Sequence, residues 1–211
     1  MRDFSHYDLK LYTVIETPLL KVPLYEFIIQ TSLAGVTAFQ LRDKGSDGAS
    51  MVQNAMIIKK ALTDLKGHKP LFIINDRADI AHVCGADGVH VGIKDVSPQL
   101  LKKSFPDLII GSSCNNLQDA ALASKWSDYA GVGPIFHTST KKDLRSVIGI
   151  QGAKDISKAL SVPCVAIGGI NEENCSDVIK SGVSGLALSS CICSSQNPYD
   201  TVKAIIKAAY G

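Results

Sequence analysis

The stretch LFIINDRADI, residues 71–80, joins two characters that rarely meet in one segment. Four apolar residues in a row, Leu71 to Ile74, mark a strand covered on both faces, because a half-buried strand would alternate apolar with polar. The run then stops on an amide, a carboxylate and a guanidinium: Asn75, Asp76 and Arg77. Either Asp76 caps a helix that begins at Arg77, with Arg77 structural, or the polar end of the strand belongs to the rim of a site.

Seven more runs of this kind lie on either side: KLYTVI (10–15), AFQL (38–41), GVHV (88–91), LIIG (108–111), YAGV (129–132), CVAIG (164–168) and GLALS (185–189). Most are unbroken, as strands of a buried parallel sheet are. The segments between them read as helices. Residues 22–35 carry a proline near the start and Gly35 at the end. Residues 48–67 place Met51, Ala55, Ile58 and Leu62 on one face. Residues 171–182 open on Asn171 with acids in the first turn and close on Gly182. Residues 197–211 carry the stripe Val202, Ile205, Ile206 and Ala209. Eight strands alternating with eight helices predict a (β/α)8 TIM barrel, one domain over 1–211, with its active site at the carboxyl ends of the strands. No GxGxxG follows the first strand, which disfavours the doubly wound alternative.

Composition narrows the function. Apolar residues make up 45% of 211, enough for a large core. Twenty-two Lys and Arg against 20 Asp and Glu leave a formal charge of +2, which argues against a nucleic-acid binder with a strongly basic face. No signal-peptide pattern opens the chain and no apolar run approaches the length of a membrane span. A soluble cytoplasmic protein, without membrane or nucleic-acid partners, is expected. Six scattered cysteines include no CxxC pair, and C-I-C at 191–193 is a poor zinc spacing. Reduced thiols acting as small apolar residues are expected, Cys193 being the first to inspect for oxidant sensitivity.

The strand ends supply the chemistry. Gln40, Arg42 and Lys44 share one parity after strand 2. Asn75 and Asp76 end strand 3, and Asp95 follows strand 4. Ser113 follows strand 5, Lys141 lies in TSTKKD after strand 6, Gly168-Gly169 closes strand 7 and Ser190 follows strand 8. Neighbouring strands lie about 5 Å apart, so Asp76 and Asp95 either repel, share a proton or bind a cation. With oxygen donors only, Mg²⁺ suits them. The bland alternative has Asp76 capping one helix and Asp95 capping the next near Ser97. It leaves unexplained why Arg42, Lys44 and Lys141 arrive at the same rim. Those cations suit a multiply charged anion, and hydroxyl, lysine and metal together make a pyrophosphate clamp.

QLRDK, INDRADIA, GADGVHVG..D, IGSS, GVGPIFHTSTK, VAIGGI and GLALSS occur in this order over about residues 10–192. As an ordered set they resemble the thiamine phosphate synthase (thiamine-phosphate pyrophosphorylase) family. The resemblance implies a (β/α)8 barrel and an aryl-methyl transferase of thiamine biosynthesis. Such an enzyme joins an aminopyrimidine methyl diphosphate to a thiazole phosphate, or its carboxylated form, by a Mg²⁺-assisted dissociative substitution that releases pyrophosphate. It further implies that Gln40, Arg42, Lys44 and Asn75 hold the pyrimidine diphosphate and that Asp76 and Asp95 bind Mg²⁺. Ser113 and Lys141, with Arg42, would act on the leaving group, and Thr138, Thr140, Gly169 and Ser190 would bind the thiazole phosphate. The stretch 133–148 would then be a lid. Two positions depart from the family pattern: Ile93 replaces a usual glutamine, and Asn115 a usual histidine, on which the related thiazole tautomerases rely. A metal-independent tautomerase or isomerase barrel, and a non-catalytic binder of thiazole phosphate, are the competing functions. The oligomeric state stays open, a homo-oligomer included.

Overall fold

Eight parallel strands close into a barrel in the computed structural model, which describes residues 8–67, 69–138 and 146–211. They are β1 (Leu11–Ile15), β2 (Ala38–Leu41), β3 (Leu71–Asn75), β4 (Gly88–Val91), β5 (Ile109–Cys114), β6 (Tyr129–Val132), β7 (Cys164–Ile167) and β8 (Gly185–Leu188). Each pairs with its sequence neighbours, and β8 closes on β1 through Leu11 opposite Leu186. This is the barrel the apolar runs predict; β5 extends three residues further, through Ser112, Ser113 and Cys114.

Nine α-helices surround it among the described residues: α1 (Leu24–Ala34), α2 (Gly48–Asp64), α3 (Ala78–Cys84), α4 (Pro98–Ser104), α5 (Leu117–Trp126), α6 (Gly149–Ala159), α7 (Cys175–Ile179), α8 (Ser190–Cys193) and α9 (Pro198–Tyr210). The one-turn α8 is extra to the expected eight. α7 is shorter than the segment 171–182, because Asn171 Oδ1 accepts from the N–H groups of Glu173 and Asn174 and holds a turn ahead of the helix. None of these helices is long and apolar enough to cross a membrane.

Apolar side chains fall into two sets. The larger joins the outer faces of the strands to the helices and includes Met51, Ala55, Ile58 and Leu62 of α2, on the predicted face. The smaller fills the barrel: Leu9, Tyr12, Val14, Ala38, Leu71, Ile73, Ile109, Tyr129, Val165 and Ala187. Room for the two tyrosines comes from glycine. A Cβ on Gly111 would overlap the Tyr129 ring, and one on Gly131 would press on His90.

The amino-terminal rim is tied by a repeated contact. Thr37, Asp87, Asp128 and Ser184 each lie a few residues at most ahead of an even-numbered strand. Their side-chain oxygens accept from Leu11, Phe72, Ile110 and Cys164 N–H on the preceding odd-numbered strand. Those four bonds satisfy donors at the face of a barrel that governs stability.

Candidate active site

The carboxyl ends of the strands enclose a central cavity. Gln40, Arg42, Asn75, Ser113, Thr138, Gly169 and Ser190 all line it. Lys44, Asp76 and Asp95 stand together beside it. Thr140 and Lys141 lie outside the described residues, as does the middle of the expected lid.

Asp76 follows Asn75 directly and adopts φ 61°, the left-handed region. Its N–H donates to the His90 carbonyl at 2.8 Å, which locks the end of β3 to β4. The turned backbone aims the carboxylate at Lys44, whose Nζ lies 3.3 Å from Oδ2, and at the Asp95 carboxyl, within hydrogen-bond reach. Asp95 Oδ2 also accepts from Gly92 N–H at 2.8 Å, so the second acid is fixed by its own loop. Burial above all, and then the Asp95 charge, push the Asp76 carboxyl up from its ordinary value; Lys44 pulls the other way. The helix-cap alternative is thereby overturned. α3 starts after Arg77 with no side-chain cap among the described residues, and α4 is capped by Ser97, whose Oγ accepts from Leu100 N–H. Arg77 forms a bidentate pair with Asp79 on the exposed surface.

On the same β2 loop as Lys44, Arg42 Nη1 donates to Glu16 Oε1 at 2.9 Å, and both side chains are largely buried. Asp43, 4% exposed, accepts from Thr17 N–H, the Thr17 hydroxyl and Asn54 Nδ2, and so pins the loop that carries Arg42 and Lys44. Inside the barrel a string of polar groups crosses from β2 to β5. Gln40 Nε2 donates to the Tyr12 hydroxyl at 2.8 Å, and Tyr12 meets the Tyr129 hydroxyl at 2.8 Å. Tyr129 meets His90 Nδ1 at 3.1 Å, and His90 Nε2 meets Ser113 Oγ at 3.1 Å. His90 therefore lines the barrel interior. Ser113 borders both the central cavity and a second depression that Asp95 also lines.

Gly168 and Gly169 carry positive φ, 104° and 67°, and a Cβ at either would strike the loop after β6 at Pro134 or Phe136. That close approach brings the Gly169 backbone to the cavity beside Ser190. Asn115 Nδ2 donates to the carbonyls of Gly133 at 3.1 Å and Ser146 at 2.9 Å, tying the two ends of the loop together. Ile93 is half exposed beside the acid cluster and His137 is exposed. All six cysteines are free, and five are buried. Burial pushes the Cys193 thiol up to about 12 and Cys191 to about 11, the reverse of a reactive thiolate. Cys193, the thiol to inspect first for oxidant sensitivity, is among the buried ones.

Sequence reasoning missed Tyr12, Tyr129, Glu16 and Asp43. The phenols sat inside apolar runs that look alike on both faces, so nothing in their pattern separates the barrel lumen from the helix side. Asp43 lies inside QLRDK, and its opposite parity to Arg42 was the one available sign that it serves the loop.

A sequence profile of the family described as Thiamine monophosphate synthase matches residues 11–192. The chain is 43% identical over 164 residues to a thiamine-phosphate synthase of Methanococcus maripaludis, covering 77% of each. It is 40% identical over 200 residues to the thiamine-phosphate synthase of Coprothermobacter proteolyticus, covering 93% of each. The solved structure of a thiamine phosphate pyrophosphorylase from Pyrococcus furiosus superposes with a TM-score of 0.85 at 32% identity, covering 95% of both chains.

Proposed function

Because this chain belongs to the thiamine monophosphate synthase family, we propose that its cavity moves an aminopyrimidine-methyl group from diphosphate to a thiazole phosphate. The methylene–oxygen bond breaks and its electron pair leaves with pyrophosphate. The thiazole nitrogen then forms the new carbon–nitrogen bond, giving thiamine phosphate. The observation that carries this proposal is the facing pair Asp76 and Asp95, set beside Lys44 at the edge of a cavity walled by Gln40, Asn75 and Ser113.

Magnesium fits that pair. Both donors are carboxylates and they stand close to one another, the oxygen-only donor set that suits this ion. Asp76 and Asp95 would hold the ion, which would supply positive charge to offset the two acids and the departing diphosphate. The rest falls to the protein. Lys44 and Arg42 supply positive charge on the diphosphate side, and Ser113 and Asn75 supply hydrogen bonds at the cavity wall. The rings of Tyr12 and Tyr129, with Val165, fill the barrel end of the cavity and exclude bulk water from a cationic methylene. Thr138, Gly169 and Ser190 hold the thiazole phosphate; the family resemblance assigns Thr140 the same role and Lys141 to the leaving group, both residues lying outside those described. The absence of a strong nucleophile in this set agrees with a dissociative substitution, in which alignment and electrostatics do the work. A tautomerase is disfavoured, because Asn115 replaces the histidine and its amide is engaged with two loop carbonyls.

The test is direct. Purified protein is mixed with the pyrimidine diphosphate, the thiazole phosphate and Mg²⁺. Equal amounts of pyrophosphate and thiamine phosphate are expected, with neither formed when Mg²⁺ is chelated. Failure to form thiamine phosphate under these conditions would overturn the proposal.

A further inference from the structure

We propose that Asn174, the residue before α7, is a positioning residue for the phosphate of the thiazole substrate. Its side chain holds the Gly169 carbonyl from behind and so turns the Ile170 N–H, beside that of Gly169, toward the cavity as a fixed donor. The inference rests on the thiazole phosphate reading given above and deepens it, since Asn174 acts through the backbone and does not itself touch the ligand.

The bonds fix the orientation of the amide. Asn174 Nδ2 lies 3.0 Å from the Gly169 carbonyl oxygen, and Oδ1 lies 2.9 Å from the Asn171 nitrogen. A carbonyl only accepts and a backbone N–H only donates, so the two ends of the side-chain amide cannot be exchanged. Asn171 answers with its own Oδ1, which accepts from the N–H groups of Glu173 at 3.0 Å and Asn174 at 3.3 Å. The turn from 169 to 174 is thereby closed on itself.

The consequence lies in the peptide plane. In a trans peptide the carbonyl and the following N–H point to opposite sides. Phe136 N–H donates to the Gly168 carbonyl at 3.0 Å, and Asn174 donates to that of Gly169. The N–H groups of Gly169 and Ile170 therefore point away from those two partners. Neither has an acceptor among the described residues. Gly168, Gly169 and Ile170 line the central cavity and Asn174 does not, so the side opposite Asn174 is the cavity side. Ile170 is buried, and a buried N–H without a partner costs free energy. Two successive N–H groups turned the same way suit an anion with several acceptor oxygens. Gly169, at φ 67°, has no side chain to screen them; a Cβ there would strike Phe136 and the His137 carbonyl.

Two measurements test this. The first is kinetic. Asn174→Ala removes both side-chain bonds. Asn174→Asp keeps the acceptor for Asn171 but sets a carboxylate oxygen against the Gly169 carbonyl, and it serves should the alanine variant fold poorly. Each is expected to raise KM for the thiazole phosphate about tenfold, the size of one hydrogen bond to a charged group. The kcat, and KM for the pyrimidine diphosphate, are expected to stay unchanged. An unaltered KM for the thiazole phosphate, or equal rises in both KM values, would show that Asn174 only supports the loop and would overturn the inference. The second measurement reads the donors whatever the activity. ¹⁵N-labelled protein without Mg²⁺ is titrated with inorganic phosphate, and the amide signals of Gly169 and Ile170 are followed. Saturable downfield movement of the Ile170 amide proton is expected, with a dissociation constant about tenfold higher in the alanine variant. An Ile170 amide that does not respond, or that titrates alike in both proteins, overturns the inference. If the wild type forms no thiamine phosphate while Ile170 titrates in an Asn174-dependent way, the proposed function falls and the positioning of an anion by Asn174 stands.

Discussion

Asp76 occupies a backbone conformation that non-glycine residues seldom adopt, and asparagine and aspartate adopt it most readily. That turn is what points its carboxylate back at Asp95 instead of forward over α3. Asp76→Asn keeps the conformation and removes the charge, so its two consequences separate cleanly. Turnover should fall on the order of 10²–10³-fold, as for loss of one preorganised electrostatic group. The metal-free variant should also be more stable than wild type at neutral pH. The sign follows from the raised carboxyl. The folded wild type binds this proton more tightly than the unfolded chain, so its stability declines as pH rises from the ordinary carboxylate value through the raised one. The asparagine variant escapes that decline. Thermal unfolding without metal from pH 3 to pH 8 should show the two curves together in acid and separated near neutrality; coincidence at pH 7 would contradict the assigned burial and repulsion. A second residue-scale expectation concerns Gly111. Gly111→Ala overlaps the Tyr129 ring and should destabilise by about 1–3 kcal/mol, the usual range for overpacking. Urea unfolding reads this directly.

At the scale of the elements, the two ends of each strand serve different ends. The carboxyl ends carry Gln40, Asn75 and Ser113 into the cavity. The amino ends carry Thr37, Asp87, Asp128 and Ser184, whose oxygens hold backbone N–H groups of the neighbouring strand. Asp128 also pairs with Lys102 of α4 at 3.0 Å, so it joins strand to helix. Asp128→Ala leaves the Ile110 N–H without that acceptor and should cost about 1–3 kcal/mol. Its kcat, measured well below the midpoint of unfolding, should match wild type, because the carboxylate is engaged with Ile110 N–H and Lys102 and does not line the cavity. A loss of kcat in the folded variant would mean that the two rims are coupled.

For the whole molecule, closure of the barrel is what makes the acid pair a site. Register sets Asn75 opposite His90 and His90 opposite Gly111, so residues from three consecutive β/α units converge at one mouth. Ligands that bind only this assembled mouth must stabilise the fold. Mg²⁺ at 100 times its dissociation constant should add about 2.7 kcal/mol, read as a rise in Tm, and Asp76→Asn should abolish that rise. An equal rise in both proteins would place the cation elsewhere.

Much of this was legible in the residue order, and the reason is physical. Eight apolar runs of strand length, separated by segments with helical periodicity and end signals, leave few alternatives to a barrel, because each strand must be covered on both faces. The polar residues that break those runs mark the rim for the same cause: a parallel strand has no place for Asn75 or Gln40 except at its exposed end or in a lumen. What the order could not express is which side of a doubly buried strand faces inward, since apolar residues occupy both. Tyr12 and Tyr129, 117 residues apart, become hydrogen-bonded partners only once the sheet closes. Asp76 and Asp95 face each other only because one backbone turn at φ 61° and one loop bond to Gly92 aim them. Residue type and spacing determined the barrel and its polar mouth. Closure and register decided which groups touch, because contact across a lumen depends on how far each strand is shifted against the next.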